Sequence, residues 1–200
     1  RLHLRNIFLM AVSWFFYYKT SGIFLLILLF VTLSDWLIAQ QIYKAKGDEA
    51  IRREARWWLA LSVVIDLGLL CYFKYAYFFT NVLNDLLGTE FVVFDLFAYI
   101  GNGFSESGRF MVDSIILPVG ISFYLFQVMS YTIDVYRGHV KPVKNILDFG
   151  FYVSFFPQLV AGPIVRANEF IPQLYKPFCV SRRLVGLAIF WVLNGLIKKI

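Results

Sequence analysis

An all-α, polytopic membrane helix bundle is the fold class this sequence predicts, and three observations predict it. Hydrophobic residues make up 60% of the 200 and charged residues only 16%. Soluble domains carry ~25% charged residues, so the shortfall calls for a non-aqueous solvent. The apolar residues also fall in blocks of the length a bilayer demands: a ~30 Å hydrocarbon core takes about 20 residues at a ~1.5 Å rise. Finally, the cations gather in alternate connections between blocks and form no continuous basic face, which excludes nucleic acid as the partner of a chain with net charge +6.

The blocks run in order along the chain. Residues 6–18 follow Arg1 and Arg5. Residues 21–43 contain one charge, Asp35, and residues 23–31 lack the polar face of a soluble core helix. Residues 57–79 contain Asp66 and Lys74, eight residues apart. That is ~12 Å along one helix, too far to pair. Lys74 is expected to snorkel from near the helix end, and Asp66 to need a partner on another helix. Residues 110–136 carry Asp113 and Asp134 near their ends, with Pro118 and Gly120 loosening the start of the helix. A last apolar segment covers 184–200. Residues 1–200 read as the interior of a longer protein, because Arg1 is not an initiator Met, no signal peptide precedes the first block and the last apolar segment stops at Lys198, Lys199 and Ile200; the resemblance described below implies the N-terminal part of a single transmembrane domain. A complete small membrane protein after processing is the alternative.

Charge placement sets the topology. Lys44, Lys46, Arg52, Arg53 and Arg56 lie in one connection, and Arg137, Lys141 and Lys144 in another. The connection 80–109 has Arg109 as its only cation against Asp85, Glu90, Asp95 and Glu106. Alternation puts the basic connections in the cytoplasm and the acidic one outside.

Residues 146–165 break the pattern. They are apolar enough to enter the membrane, but Pro157 and Pro163 each lack an N–H and clash with the carbonyl four residues earlier. A full crossing would also place Arg166, Lys176, Arg182 and Arg183 outside, against the charge bias. A broken or re-entrant segment keeps them inside. Such backbone is tolerated only where protein buries it or where it lines a wet cavity. It reads either as a cavity wall built from residues 155–163, with Phe155, Pro157, Gln158, Gly162 and Pro163, or as an ordinary proline kink. On the preceding helix, Tyr124, Gln127, Tyr131 and Asp134 share one face, and lipid offers such a stripe no partner. The stripe is either part of a polar internal site or interhelical glue. It is expected to face the broken segment, meeting carbonyls freed at Val153 and Leu159, with Asp134 pairing with Arg166.

Two blocks carry a resemblance. LPVGISFYLFQVMSYTIDVYRG at 117–138 and YVSFFPQLVAGPIVR at 152–166, followed by IPQL at 171–174, resemble the membrane-bound O-acyltransferase family, in its bacterial polysaccharide O-acetyltransferase branch. The N-terminal part agrees in character, with apolar helices and FKY at 73–75. The resemblance implies a multi-pass protein of the bacterial plasma (inner) membrane that moves an acyl group, typically acetyl. The donor is cytoplasmic, acetyl-CoA or similar. The acceptor is a hydroxyl of an extracytoplasmic polysaccharide such as alginate, reached through periplasmic partner acetyltransferases. It implies a co-substrate and no bound cofactor. The site residues it leaves as substrate-tunnel candidates are Tyr124, Gln127, Tyr131, Asp134, Phe155, Pro157, Gln158, Gly162, Pro163 and Arg166. The family's catalytic His lies in a downstream segment, so no catalytic residue is expected here.

The remaining residues support no rival chemistry. His3 sits in the N-terminal basic stretch and His139 in a basic loop. Cys71 and Cys179 have neither metal-ligand nor disulfide spacing, and no metal is expected. GNG at 101–103 lacks the strand context of a nucleotide motif. A transporter or channel subunit, or a scaffold in a polymer-export complex, is the alternative function. An inverted repeat would favour the transporter, and none is visible here. Single cysteines placed in 44–56 and 137–145 should resist an impermeant thiol reagent in intact cells, while cysteines in 80–109 should react. Outside labelling of the 44–56 connection contradicts the topology.

Overall fold

A computed structural model describes residues 2–45, 49–97, 99, 115–162, 165–176 and 181–199. Among the described residues the secondary structure is helical, with no strand. The elements are α1 (Leu2–Ser21), a 3₁₀ turn (Gly22–Phe24), α2 (Leu25–Lys44), α3 (Glu49–Leu70), a π turn (Cys71–Tyr75), α4 (Ala76–Leu87), α5 (Ile121–Arg137), α6 (Ile146–Ser154), α7 (Phe156–Ala161), α8 (Ala167–Leu174) and α9 (Arg182–Lys199). Two runs, Leu4–Lys44 and Arg53–Leu87, are long and apolar enough to cross a membrane.

The polarity of the bundle is inverted relative to a soluble protein. Phe8, Phe15, Leu26, Phe30, Trp57, Val64 and Trp191 are exposed, while Ser13, Asp35, Ser62, Asp66 and Thr132 are buried. In water this arrangement would leave wide apolar patches. In lipid it is the stable one, since apolar side chains lose nothing outside and polar groups find partners inside. Every described side chain of α9 is exposed except half-buried Asn194.

The core is a triangle of α2, α3 and α5, with α6 laid against α1 and α2. Leu28, Val31, Leu125, Val128 and Phe149 fill it. Side chains rather than backbone ladders tie the connections down. Val143, in the loop before α6, accepts from Trp36 Nε1 and Gln40 Nε2, each at 2.8 Å, and donates its N–H to the Tyr131 hydroxyl at 2.9 Å. Asn145 then caps α6 by accepting from the Leu147 N–H at 3.1 Å. After α4, Tyr72 accepts from the Leu96 N–H at 2.8 Å and donates to Asp95 at 3.1 Å, returning that connection to the helix.

Several boundaries differ from the sequence expectation. The helix expected over 110–136 begins at Ile121, because Pro118 precedes a left-handed Gly120 at φ 72 that caps it; residues 110–114 lie outside the described set. The helix expected over 57–79 starts at Glu49 and runs through the π turn to Leu87, ending where Gly88 turns left-handed. The charged residues before Trp57 and residues 81–87 continue the helix, so part of both expected loops is helical. Lys74, expected near the end of this helix, lies within it, more than three turns before Leu87; it is exposed, 5.5 Å from the Tyr75 ring centroid.

Gly120 has two reasons to be glycine: its positive φ, and a Cβ that would come within 2.6 Å of the Leu159 carbonyl oxygen. Left-handed strain alone costs a larger residue about 1–3 kcal/mol. Gly150 is the natural control, since its Cβ would meet Met10, Thr32 and Trp14 only at ordinary distances of 3.7–3.9 Å. Gly120→Ala should lower the melting temperature of the membrane-extracted protein by several degrees, and Gly150→Ala should leave it nearly unchanged. Equal effects would show that the α5–α7 approach is not tight.

Candidate functional site

The broken segment is a helix that stops, reverses and is clamped from both sides. α6 ends at Ser154 because Phe155 adopts an extended backbone, φ −60 and ψ 105, and α7 restarts with Pro157 in its first turn. α6 and α7 are nine and six residues long. At ~1.5 Å per residue neither spans a bilayer. The chain then doubles back so that α8 packs on α6. Phe170 of α8 stacks against Phe151, Tyr152 and Phe155 at centroid separations of 5.9, 5.6 and 5.4 Å. The Tyr152 hydroxyl donates to the Val165 carbonyl at 2.9 Å across the reversal.

A break of this kind strands backbone groups, and side chains meet them. Gln127 Nε2 on α5 donates to the Tyr152 carbonyl at 2.9 Å. It also lies 3.4 Å from Gln158 Oε1 in α7. From the α1 side, Ser13 Oγ accepts from the Phe156 N–H at 3.5 Å, and Trp14 Nε1 donates to Ser154 Oγ at 3.0 Å. The stranded carbonyl that Gln127 meets is Tyr152, not the expected Val153 or Leu159. The extended Phe155 separates Phe156 from Tyr152, its helical acceptor, one residue before the proline takes effect. Leu159 instead presents its carbonyl to Gly120, where the absence of a Cβ makes room.

The predicted site residues sort into two groups. Tyr124, Gln127, Tyr131 and Asp134 are 0–7% exposed, so the stripe is closed within the bundle. Gln127 faces the break, Tyr131 holds Val143, and Tyr124 faces Tyr17. At the break itself Pro157 is exposed, while Phe155, Gln158 and Gly162 are half-buried. Pro163 lies outside the described residues. Arg166 is exposed and sits at the N-cap of α8. Asp134 does not pair with it: among the described residues its ionic contact is His139 Nδ1 at 3.5 Å, on an imidazole 62% exposed. The reason is local. Gly138 turns left-handed after α5 and brings the His139 and Val140 N–H groups back onto the Asp134 carbonyl, which carries the imidazole beside the carboxylate.

The C-terminal end of α8 is also held. Arg5 donates to the Leu174 carbonyl at 2.8 Å and to Lys176 O at 3.5 Å, meeting carbonyls that a helix end leaves unpaired. Tyr175 donates to Asp148 Oδ2 at 2.6 Å. Burial, and then the Asp148 carboxylate, push that hydroxyl up to about 12, so it remains a donor throughout the physiological range. Sequence reasoning missed Ser13, Trp14 and Arg5. A Ser–Trp pair inside an otherwise apolar block is the signal that was available.

Among the described residues no group of three or more His, Cys, Asp or Glu side chains could hold a metal ion. No family model and no solved structure matches the chain. Curated relatives do. The probable alginate O-acetylase AlgI of Pseudomonas aeruginosa is 36% identical over 198 residues, 98% of this chain and 34% of that protein. The AlgI of Azotobacter vinelandii is also 36% identical, over 98% of this chain and 36% of its own length. The peptidoglycan O-acetyltransferase of Helicobacter pylori is 26% identical over 98% of this chain and 38% of its own length. The two motif blocks lie inside these alignments, and the chain spans about a third of the length of the relatives it matches. Over nearly its whole length the chain is a homologue of proteins named as O-acetyltransferases, the alginate O-acetylases among them.

Proposed function

We propose that this chain is the substrate-path portion of a membrane-bound O-acetyltransferase. The protein would take acetyl from a cytoplasmic donor such as acetyl-CoA and deliver it to hydroxyls of an extracytoplasmic polysaccharide, alginate being the first candidate. The observation that carries the reading is the similarity over 98% of the chain to two alginate O-acetylases. The broken segment supports it: non-helical backbone at membrane depth is tolerated where protein buries it or where it lines a wet cavity, and Phe155, Pro157 and Gln158 are not buried. A multi-pass location in a bacterial plasma membrane, with periplasmic partner proteins passing acetyl to the polymer, is part of the same proposal.

The reaction needs an acceptor hydroxyl to attack the acetyl carbonyl carbon. The carbon–sulfur bond of a thioester donor breaks, and the hydroxyl proton ends on the departing thiol. Each step benefits from exclusion of water and from a base held near the hydroxyl. No residue of this chain is assigned as that base, since its two histidines lie in the N-terminal stretch and in an exposed loop. The chain's share is positional. Gln158 and Phe155 present the partly open side of the break to the path, and Gln127 stands behind them holding the Tyr152 carbonyl. Arg166, exposed at the cytoplasmic end, is placed to meet an anionic donor.

Two substitutions separate a path from simple packing. In the full-length protein, Gln158→Leu should lower acetyl transfer to polymer at least several-fold while its amount in the membrane stays near wild type. Gln127→Leu should lower transfer and also reduce the amount of protein, because it strands a buried carbonyl at a cost of about 1–3 kcal/mol. Unchanged transfer in Gln158→Leu removes the break from the path. The 200-residue chain alone should transfer no acetyl; measurable transfer by it would place the base within these residues.

A further inference from the structure

The α2–α3–α5 junction buries two carboxyl groups that acyl transfer leaves without a task. Asp35 on α2 and Asp66 on α3 are 1% and 0% exposed and meet side chain to side chain. Ser62 Oγ donates to Asp35 Oδ1 at 2.5 Å, and Thr132 Oγ1 lies 3.3 Å from the same oxygen. The other three carboxylate oxygens, Asp35 Oδ2 and both of Asp66, have no hydrogen-bond partner among the described residues. Among the described residues no ion pair involves either of them. From α5, Tyr131 stands near Asp35 and is engaged with Val143, whereas Tyr124 stands near Asp66 with its hydroxyl unpartnered. On α1, Tyr17 faces Tyr124 and Ser21, and both of these α1 hydroxyls are likewise buried without a partner.

Two touching carboxylates at this depth cannot both be charged, since each opposes the other and neither is neutralised by a cation. A proton between them converts one oxygen into a donor and removes both problems at once. The hydroxyls of Tyr124, Tyr17 and Ser21 extend from the pair toward the Gly22 turn and the start of α5. These are the ends that the charge bias places outside. Buried polar groups spaced just beyond direct contact are where bridging water is held.

We propose that Asp35 and Asp66 form a proton-binding site, with one proton shared between their facing oxygens and exchanged with the external side along Tyr124, Tyr17 and Ser21 through intervening water. On exchange the carboxyl O–H bond breaks, its electron pair stays on the oxygen, and the proton leaves on a water molecule as hydronium. Return of a proton reverses the step, so atoms and charge balance with no other reactant. The site is independent of the acyl-transfer reading and stands if that reading fails.

The test is infrared spectroscopy of the full-length protein in lipid nanodiscs. A carbonyl stretch of a protonated carboxyl should be present at pH 7, move when aspartate side chains carry ¹³C, and shift in D₂O. It should be unchanged when sodium is replaced by choline. Asp35→Asn/Asp66→Asn should abolish it, and Tyr124→Phe should slow its D₂O shift at least several-fold. The wild-type isotope and cation measurements require no variant to fold. Absence of the band, its persistence in the double variant, or its appearance only when sodium is withdrawn overturns the proposal, the last in favour of a cation site.

Discussion

The bond from Gln127 Nε2 to the Tyr152 carbonyl, 2.9 Å long, is the contact on which the rest of the arrangement turns. A helix that stops within a bilayer leaves carbonyls with neither water nor backbone to bind them. The bundle answers by aiming an amide from α5 at the stranded carbonyl, and by aiming Ser13 and Trp14 from α1 at the other side of the break. With those groups satisfied, the chain can reverse at 155–166 and lay α8 back on α6. Without them the reversal would leave buried polar groups unpaired, at a cost of about 1–3 kcal/mol each.

The same constraint explains the inverted polarity. In water, burying Asp35, Ser62, Asp66 and Thr132 while exposing Phe30, Trp57 and Val64 would be costly on both counts. In lipid both choices are favourable, and the buried polar groups become the specific contacts that orient otherwise featureless apolar helices. The loop before α6 shows how far this goes. Trp36, Gln40 and Tyr131, from two different helices, converge on the backbone of Val143. The stripe, itself closed within the bundle, holds in place a stretch of backbone that is partly open at Phe155, Pro157 and Gln158.

Much of this was legible in the sequence, and the parts that were not have physical reasons. Block length and the isolated charges announced a membrane bundle. The prolines announced a break, and the spacing of Tyr124, Gln127 and Tyr131 announced a helix face turned toward protein. What the spacing could not give is which carbonyl a break strands. That depends on ψ at Phe155, a non-proline residue, rather than on where the prolines fall. The Asp134–Arg166 pairing failed for a similar reason, because a left-handed Gly138 brought His139 to the carboxylate first. The start of α5 moved to Ile121 because Pro118 and Gly120 act as a stop and a cap, which hydropathy averaged over 110–136 does not register. Ser13 and Trp14 were hidden by an apolar context in which a lone serine usually bonds only its own helix, as Ser13 also does through Leu9 O.

The central claim is that a side-chain amide completes the break at Tyr152. The Tyr–Val dipeptide at 152–153 occurs once in this sequence. Tyrosine labelled with ¹³C at the carbonyl and valine labelled with ¹⁵N therefore isolate the Tyr152 carbonyl in solid-state NMR spectra of the chain in lipid. Gln127→Met keeps the volume of the side chain and removes its donor. The account predicts that this substitution moves the Tyr152 carbonyl resonance upfield, as loss of a hydrogen bond does, while resonances of α2 and α3 stay in place. An unmoved Tyr152 carbonyl would contradict it.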